Sequence, residues 1–249
     1  MRALTAEISK LASLPTVWLA AATGVLVPSA VAAITSFSAR GGETAAGIDT
    51  GYRELAFGVV GVIILGVVGI SSEYFTESAE SGGGRQITTS LTAVPSRLRF
   101  LYAKMSAIAI TGALLAIVAA VATMGVVQVV LGAHAPALGA DDVPRLAGVV
   151  CYWVFTALLA FGITVLTRHG VIPLAVLIAN TSVVTVTYLL TRITPLANYL
   201  PDMAGVRMFI RELDDTGVEI SPLVGCLVMS AWVAALLVIA GITFTRRDA

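Results

Sequence analysis

Charged side chains are scarce in this 249-residue chain. Only 12% of its residues are Asp, Glu, Lys or Arg, whereas 57% are hydrophobic. Because a soluble domain normally carries about 25% charged residues, much of this protein's surface does not face water. The formal net charge is zero, so bulk charge gives no reason to expect a nucleic-acid partner. The composition predicts an integral membrane protein.

The residues that support metal, disulfide or hydrolytic chemistry are also few. The two cysteines, Cys151 and Cys226, lie far apart in apolar runs, which favours buried small side chains over a disulfide or a metal pair. The two histidines stand alone, and no Gly-rich phosphate-binding loop ending in Gly-Lys-Ser/Thr is present. We therefore expect no catalytic residue, no metal and no cofactor bound by this chain.

Six stretches of the chain contain no Asp, Glu, Lys or Arg. Each holds the roughly 20 residues needed to cross the hydrocarbon core, and a helix satisfies backbone polar groups inside lipid. The sequence therefore predicts one all-α membrane domain over residues 1–249. Its six spans lie at about 16–37, 55–73, 105–131, 146–167, 170–190 and 222–244.

The distribution of Lys and Arg predicts the orientation. With the N-terminus inside, the inside segments hold nine of these residues and the outside loops hold six, a bias with the sign of the positive-inside rule. Six spans then place both termini in the cytoplasm. Abundant Ala, Val and Gly with only two lysines is typical of a high-GC bacterial genome, so the predicted location is a bacterial cytoplasmic (inner) membrane.

The N-terminal segment has amphipathic spacing. Leu4, Ile8 and Leu11 recur at helical intervals opposite Glu7 and Lys10. This pattern predicts a short interfacial helix on the membrane surface. The alternative is a polar tail that frays.

The inside segment from Glu73 to Lys104 is longer than a simple connection. It starts acidic, passes through three glycines and ends basic. Residues 86–93 read as one or two helical turns that Pro95 terminates. The alternative is a disordered loop. Glu73, at the membrane border, either pairs with a nearby Arg or only caps the span in headgroup water.

The outside segment before the last span predicts a second short helix. Pro201 and Asp202 suit a first helical turn. Apolar residues follow near helical spacing at Leu200, Met203, Val206, Ile210 and Leu213. We expect an amphipathic helix that dips into the outer leaflet or caps an exit.

Small and polar residues mark two of the spans. In the second span Gly58, Gly61, Gly66 and Gly69 share one arc, which favours close helix packing. In the fifth span the polar residues, including Asn180, Thr181 and Thr185, either line a wet pathway or form interhelical and back-bonded hydrogen bonds.

Several motifs resemble the permease subunits of type-2 ATP-binding-cassette exporters. Ser72-Glu73-Tyr74 is similar to the Ser-Glu-Tyr at the inner end of that family's second helix. The threonine-rich stretch 84–97, followed by Lys104, resembles the family's next segment and the lysine that opens its third helix. Residues 199–205 and 244–248 look like the same family, so the resemblance covers the whole chain. The chain departs from the family in the additional residues 75–83.

The resemblance implies a function. In that family the loop between the second and third helices docks on a separate ATPase subunit, and two permeases work with two ATPases. ATP and Mg²⁺ would then bind to the partner ATPase, and the N-terminal helix would contact it. The loop before the last helix would gate the outer side. The implied docking and coupling residues are Glu73, Arg85, Ile87, Leu91 and Arg97.

The absence of charged residues from the predicted spans helps to distinguish the possible functions. Transporters driven by ions usually carry ionisable residues at membrane depth, so energy for uphill transport here should come from outside the chain. An exporter permease is the first hypothesis. A self-powered secondary transporter or channel is the second, and a membrane anchor or assembly protein is the third.

Overall fold

The computed structural model describes residues 2–42, 46–74, 96–182, 186–213 and 220–246. Within these ranges the chain is helical and contains no strand. In chain order the helices are α1 Arg2–Ser13, α2 Pro15–Arg40, α3 Tyr52–Phe57, α4 Val59–Ser71, α5 Arg97–Leu131, α6 Val143–Thr167, α7 Val171–Ser182, α8 Val186–Thr191, α9 Pro201–Val206 and α10 Pro222–Arg246. Short 3-10 turns lie at Ser72–Tyr74, Gly132–His134, Ala140–Asp142 and Pro195–Tyr199.

Among the described residues, five helical segments are long and apolar enough to cross a membrane. They are Pro15–Arg40, Tyr52–Tyr74, Arg97–His134, Ala140–Thr167 and Pro222–Arg246. They confirm the predicted all-α fold and the presence of several helices able to cross a membrane. The remaining predicted span, 170–190, is divided between α7 and α8. At 12 residues, α7 extends about 18 Å, less than the hydrocarbon core of about 30 Å, so the count of six stays a prediction.

The observed helices reach beyond the charge-free stretches. The third span begins at Arg97 rather than at 105, because the Ser96 hydroxyl caps α5 by accepting the Arg99 backbone N–H at 3.4 Å. Lys104 therefore lies about two turns inside α5 and is only 2% exposed. The observed span therefore includes Lys104, which the predicted span, beginning at residue 105, left outside.

Helix α6 is the centre of the bundle. It packs against α4, α5 and α10, and α4 in turn lies between α2 and α6. Its aromatic side chains Tyr152, Trp153 and Phe161 are among the largest fully buried groups. The spans α2, α5 and α10 therefore pack around α4 and α6, and α2 also packs along α5.

The predicted close packing of the second span's glycines is confirmed. A Cβ at Gly61 would lie 2.5 Å from the Ala20 carbonyl oxygen of α2, and one at Gly66 would lie 2.2 Å from the Ala157 carbonyl oxygen of α6. Gly58 meets the Trp153 ring, and Gly69 meets α5. These contacts lie within one chain. The glycine face is therefore occupied, and a dimer of this protein would need another surface.

The alternating direction of the spans defines two ends of the bundle. At the α1 end lie α1, the end of α4, the start of α5 and the end of α10. At the α9 end lie α9, the start of α6 and residues 46–51. The described residues on either side of 75–95, Tyr74 and Ser96, lie at the α1 end.

Gly66 offers a test of this packing, with Gly125 of α5 as its control, since a Cβ at Gly125 meets nothing within 4 Å. We expect Gly66→Ala to destabilise the protein by about 1–3 kcal/mol, because α4 and α6 would have to move apart. Gly125→Ala should be neutral or slightly stabilising. Thermal unfolding of both variants in detergent, followed by size-exclusion chromatography, measures the difference. Equal midpoints would show that α4 and α6 are not in close backbone contact.

Candidate functional site

Helix α1 binds the bundle through charged as well as apolar side chains. Leu11 is buried, while Ile8 is 37% exposed. Glu7 and Lys10 face the bundle and pair with residues of α5 and the turn after α4. The predicted helix is confirmed, but its predicted polar face is wrong. Glu7 and Lys10 lie on the inward side because buried opposite charges meet them there.

These contacts form a charge quartet of Glu7, Lys10, Glu73 and Lys104. Glu73 is 0% exposed and accepts hydrogen bonds from both lysines. The Lys104 Nζ lies 2.8 Å from the Glu73 carboxylate and 2.7 Å from that of Glu7. It also donates to the Gly69 carbonyl oxygen at 3.2 Å. Two cations balance two carboxylates, so the quartet is neutral as a unit.

An aromatic contact extends the quartet to α10. The Lys104 Nζ lies 5.1 Å from the centre of the Phe100 ring, a cation–π distance. Phe100 stacks on Phe244 of α10 with ring centres 6.2 Å apart, and the Arg97 guanidinium donates to the Phe244 carbonyl oxygen at 3.4 Å. Both flanks of residues 75–95 are thereby fixed to the bundle, one through Glu73 and the other through Arg97 and Lys104.

The structure places two of the five predicted coupling residues, Glu73 and Arg97, at the α1 end. The partners of Glu73 include Lys10 and Lys104, and its carboxylate is buried within the bundle. Arg85, Ile87 and Leu91, with the predicted helix 86–93, lie outside the described residues. One signal for the quartet was present in the sequence, since the chain's two lysines flank the same predicted side of the membrane.

A second buried ion pair holds the α9 end together. Asp49 is 1% exposed and pairs with Arg145 at the start of α6. The same carboxylate accepts the backbone N–H groups of Arg211 at 3.1 Å and Glu212 at 2.7 Å. The Arg145 guanidinium lies 3.7 Å from the centre of the Tyr52 ring. This pair fixes the chain after α9 onto the segment before α3.

The predicted outer helix begins at Pro201, as expected, but ends at Val206. It packs on α6 and α10, because Gly205 lets it lie directly against the Tyr152 ring and the Met229 sulfur; its predicted insertion into the outer leaflet stays a prediction. The five residues of the predicted apolar pattern have different environments: Met203 is 3% exposed, whereas Leu200, Val206, Ile210 and Leu213 are partly buried.

The first turn of α9 carries a hydrogen-bonded network. The Tyr152 hydroxyl donates to the Asp202 carboxylate at 3.0 Å, and the Asn180 amide donates to it at 3.5 Å. The Thr187 hydroxyl donates to the Asn180 carbonyl oxygen at 3.1 Å. The network therefore joins α6, α7, α8 and α9. Burial in this network raises the pKa of the Asp202 carboxyl, and the Tyr152 hydrogen bond offsets only part of that rise.

The predicted pathway residues have mixed outcomes. Asn180 makes the interhelical hydrogen bonds just described, and the Thr181 hydroxyl donates back to the Leu177 carbonyl oxygen at 3.0 Å. Both patterns match the alternative reading of this segment. Thr185 lies outside the described residues. A pathway role for these residues stays a prediction.

The quartet predicts that the stability losses of variants at its residues are not additive. Removal of one partner leaves a buried charge unpaired, so Glu73→Gln and Lys104→Met should each destabilise the protein by about 3–5 kcal/mol. The double variant should lose less than the sum, because it leaves Glu7 and Lys10 as a balanced pair. Arg99→Gln, at an exposed position of α5, is the control. Thermal unfolding in detergent measures all four proteins, and additive losses would contradict a shared ion-pair network.

The raised pKa of Asp202 predicts that the stability of the protein depends on pH. Since its folded-state pKa is raised, its contribution to stability is complete below the unfolded-state pKa of about 3.9. That contribution is lost as the pH rises through the raised folded-state pKa. Asp202→Asn should therefore gain stability relative to wild type as the pH rises. Midpoints measured across the acidic range should show a widening gap, whereas the exposed Asp141→Asn variant should show none. A constant gap for Asp202→Asn would contradict the assigned burial.

Comparison with known protein families, curated proteins and solved structures finds no match to this chain. Its functional interpretation therefore rests on the sequence motifs and on the geometry of the two ends.

Proposed function

We propose that this chain is the membrane-spanning subunit of an ATP-binding-cassette exporter, powered by a separate ATPase that docks on residues 73–104. The proposal includes six spans, the fifth formed by α7 and α8, and a working unit of two copies with two ATPases. It places the chain in a bacterial inner membrane with both termini in the cytoplasm.

The observation that carries the proposal is the charge quartet. A separate ATPase can act only on what protrudes from the membrane, and residues 75–95 are the longest inside connection. Their flanking residues Glu73 and Lys104 are buried, paired with each other and tied to α1. Networks of ion pairs and packed helices can carry coupling between distant sites. A push on this segment would therefore reach α1, α4 and α5 together.

The placement of buried charges supports an external energy source. Among the described residues of the spans, the buried charged groups Glu54, Glu73, Lys104 and Arg145 lie toward helix ends and have ion-pair or hydrogen-bond partners. A secondary transporter needs ionisable groups near the middle of the membrane to bind its coupling ion. Flux that follows an ion gradient without ATP would favour that second hypothesis.

ATP chemistry belongs to the partner under this proposal. The chain has no phosphate-binding loop, so ATP and Mg²⁺ would bind to the ATPase alone. The purified chain should show no ATP turnover above that of a mock purification.

The docking segment can be tested with matched substitutions. Ile87 and Leu91 lie four residues apart, on one face of the predicted helix 86–93, and would insert into a groove of the ATPase. Ile87→Asp or Leu91→Asp should weaken ATPase binding by about 30-fold or more, since each removes an apolar anchor and places a charge in the interface. Pull-down of a phosphate-loop ATPase from native membranes, followed by mass spectrometry, is the measurement.

Ser96→Asp is the control for this experiment. Ser96 is exposed and caps α5, and Asp is an equally good cap, so this variant adds the same charge without disturbing the fold. It should bind the ATPase as wild type does. If the Ile87 and Leu91 variants also bind and transport normally, residues 86–93 are not the docking element. If no ATPase is recovered with wild type, the exporter proposal itself fails.

A further inference from the structure

The partly buried carboxylate of Asp202 differs from the buried carboxylates of Glu73 and Asp49, which form ion pairs. It resembles Glu54 in accepting from neutral donors, although Glu54 is only 6% exposed and is bound by the Gly51 N–H and the Thr35 hydroxyl. Glu73 pairs with two lysines, and Asp49 pairs with Arg145. Within the described parts of the chain, Asp202 forms no ion pair, and its hydrogen-bond donors, Tyr152 and Asn180, are neutral. Among the described residues, its carboxylate therefore has no cationic partner.

The groups around Asp202 are held in fixed orientations. Because the Thr187 hydroxyl donates to the Asn180 carbonyl oxygen, the Asn180 NH₂ group is directed at Asp202. Tyr152 is buried against α9 and donates from the other side. Asp202 as a residue is partly exposed, and each of its two carboxylate oxygens accepts from one of these donors. The arrangement is a preformed acceptor for one positively charged group.

An unpaired carboxylate with little water around it is costly. Two occupants relieve that cost: a proton, which neutralises the carboxyl, or a cation that pairs with it. Helix α8, which contacts α9, also presents the exposed apolar side chains Leu189 and Leu190. A ligand with both a cationic group and an alkyl portion matches this combination of surfaces.

We propose that Asp202 binds the ammonium group of an amphipathic amine, and that such an amine is cargo of this protein. The cargo assignment rests on the proposed exporter function, whereas the binding site does not. The ammonium group takes the place of the missing counter-cation, and Tyr152 and Asn180 hold the carboxylate toward it. The proton is its competitor at the same oxygen atoms.

The ionisable groups around α9 leave Asp202 as the acceptor. On the elements that pack against α9, they are Arg145, Cys151 and Tyr152 of α6, Tyr188 of α8, Tyr199 of the turn before α9, and Cys226 and Arg246 of α10. Arg145 is paired with Asp49, and Arg246 lies at the opposite end of the bundle. Arg207, which follows α9, donates to Asn198.

The test uses the full chain in nanodiscs of phosphatidylcholine, with dodecylamine as the cationic probe and dodecanol as its neutral analogue. Dodecylamine should raise the thermal-unfolding midpoint of wild type in a saturable way, and dodecanol should not. Asp202→Asn should weaken the dodecylamine response at least 10-fold in concentration, whereas Asp141→Asn, which removes an exposed carboxylate at the same end, should respond as wild type does. Equal responses of Asp202→Asn and wild type, or of the two probes, would overturn the site.

A pH series and a second variant exclude a general effect on stability. An alkylammonium group stays charged well below its pKa, which is close to that of lysine at about 10.4. As the pH falls, protonation of Asp202 should therefore displace the amine from wild type but leave the weak response of Asp202→Asn unchanged. Tyr152→Phe removes one of the two donors that hold the carboxylate toward the amine and should weaken the dodecylamine response, though less than Asp202→Asn does. A response that does not depend on pH would contradict the proposal.

The two proposals fail separately. The nanodisc measurement needs no ATPase, so a negative result removes the amine site and leaves the exporter proposal standing. Recovery of no ATPase in the pull-down would remove the exporter proposal while leaving amine binding measurable.

Discussion

The buried carboxylate of Glu73 constrains the whole α1 end of this protein. A carboxylate removed from water costs several kcal/mol unless cations and hydrogen-bond donors replace that water. Glu73 obtains both lysines of the chain, and Lys104 in turn requires Glu7. The position of α1 and the start of α5 therefore follow from one electrostatic requirement. Apolar packing alone would let α1 slide along the bundle, whereas a neutral quartet fixes its register.

Small residues make that electrostatic arrangement possible. The close approach of α4 to α2 and α6 depends on Gly61 and Gly66, each of which lies against a backbone carbonyl oxygen of a neighbouring helix. In lipid, such contacts replace the hydrophobic driving force that water would supply. Gly69 also brings its own carbonyl oxygen to the Lys104 Nζ. The packing of α4 and the charge quartet are thus two parts of one assembly.

Features that depend only on local sequence in a bilayer, such as the spans, were predicted. Features that depend on contacts between residues far apart in the chain were missed. A charge-free run of about 20 apolar residues has few structural options in a bilayer, so five spans were placed closely. The start of α9 was also predicted, because Pro201 and Asp202 have strong first-turn preferences. The inward face of α1 was not, since Lys10 and Glu7 find partners 63 and 97 residues away. The same limit hid Lys104, which reads as a boundary charge until its partners are known.

Asp202, at the α9 end, is another residue whose contacts could not be predicted from the local sequence. As a first-turn acid it is explained by the helix dipole alone, and its bond to Tyr152, 50 residues away, is invisible to local reasoning. Proteins satisfy their buried polar groups except where function requires otherwise. In the quartet the charges balance within the chain, as the proposed coupling role of the α1 end requires. At Asp202 no described cation supplies the balance, and the proposed amine would supply it.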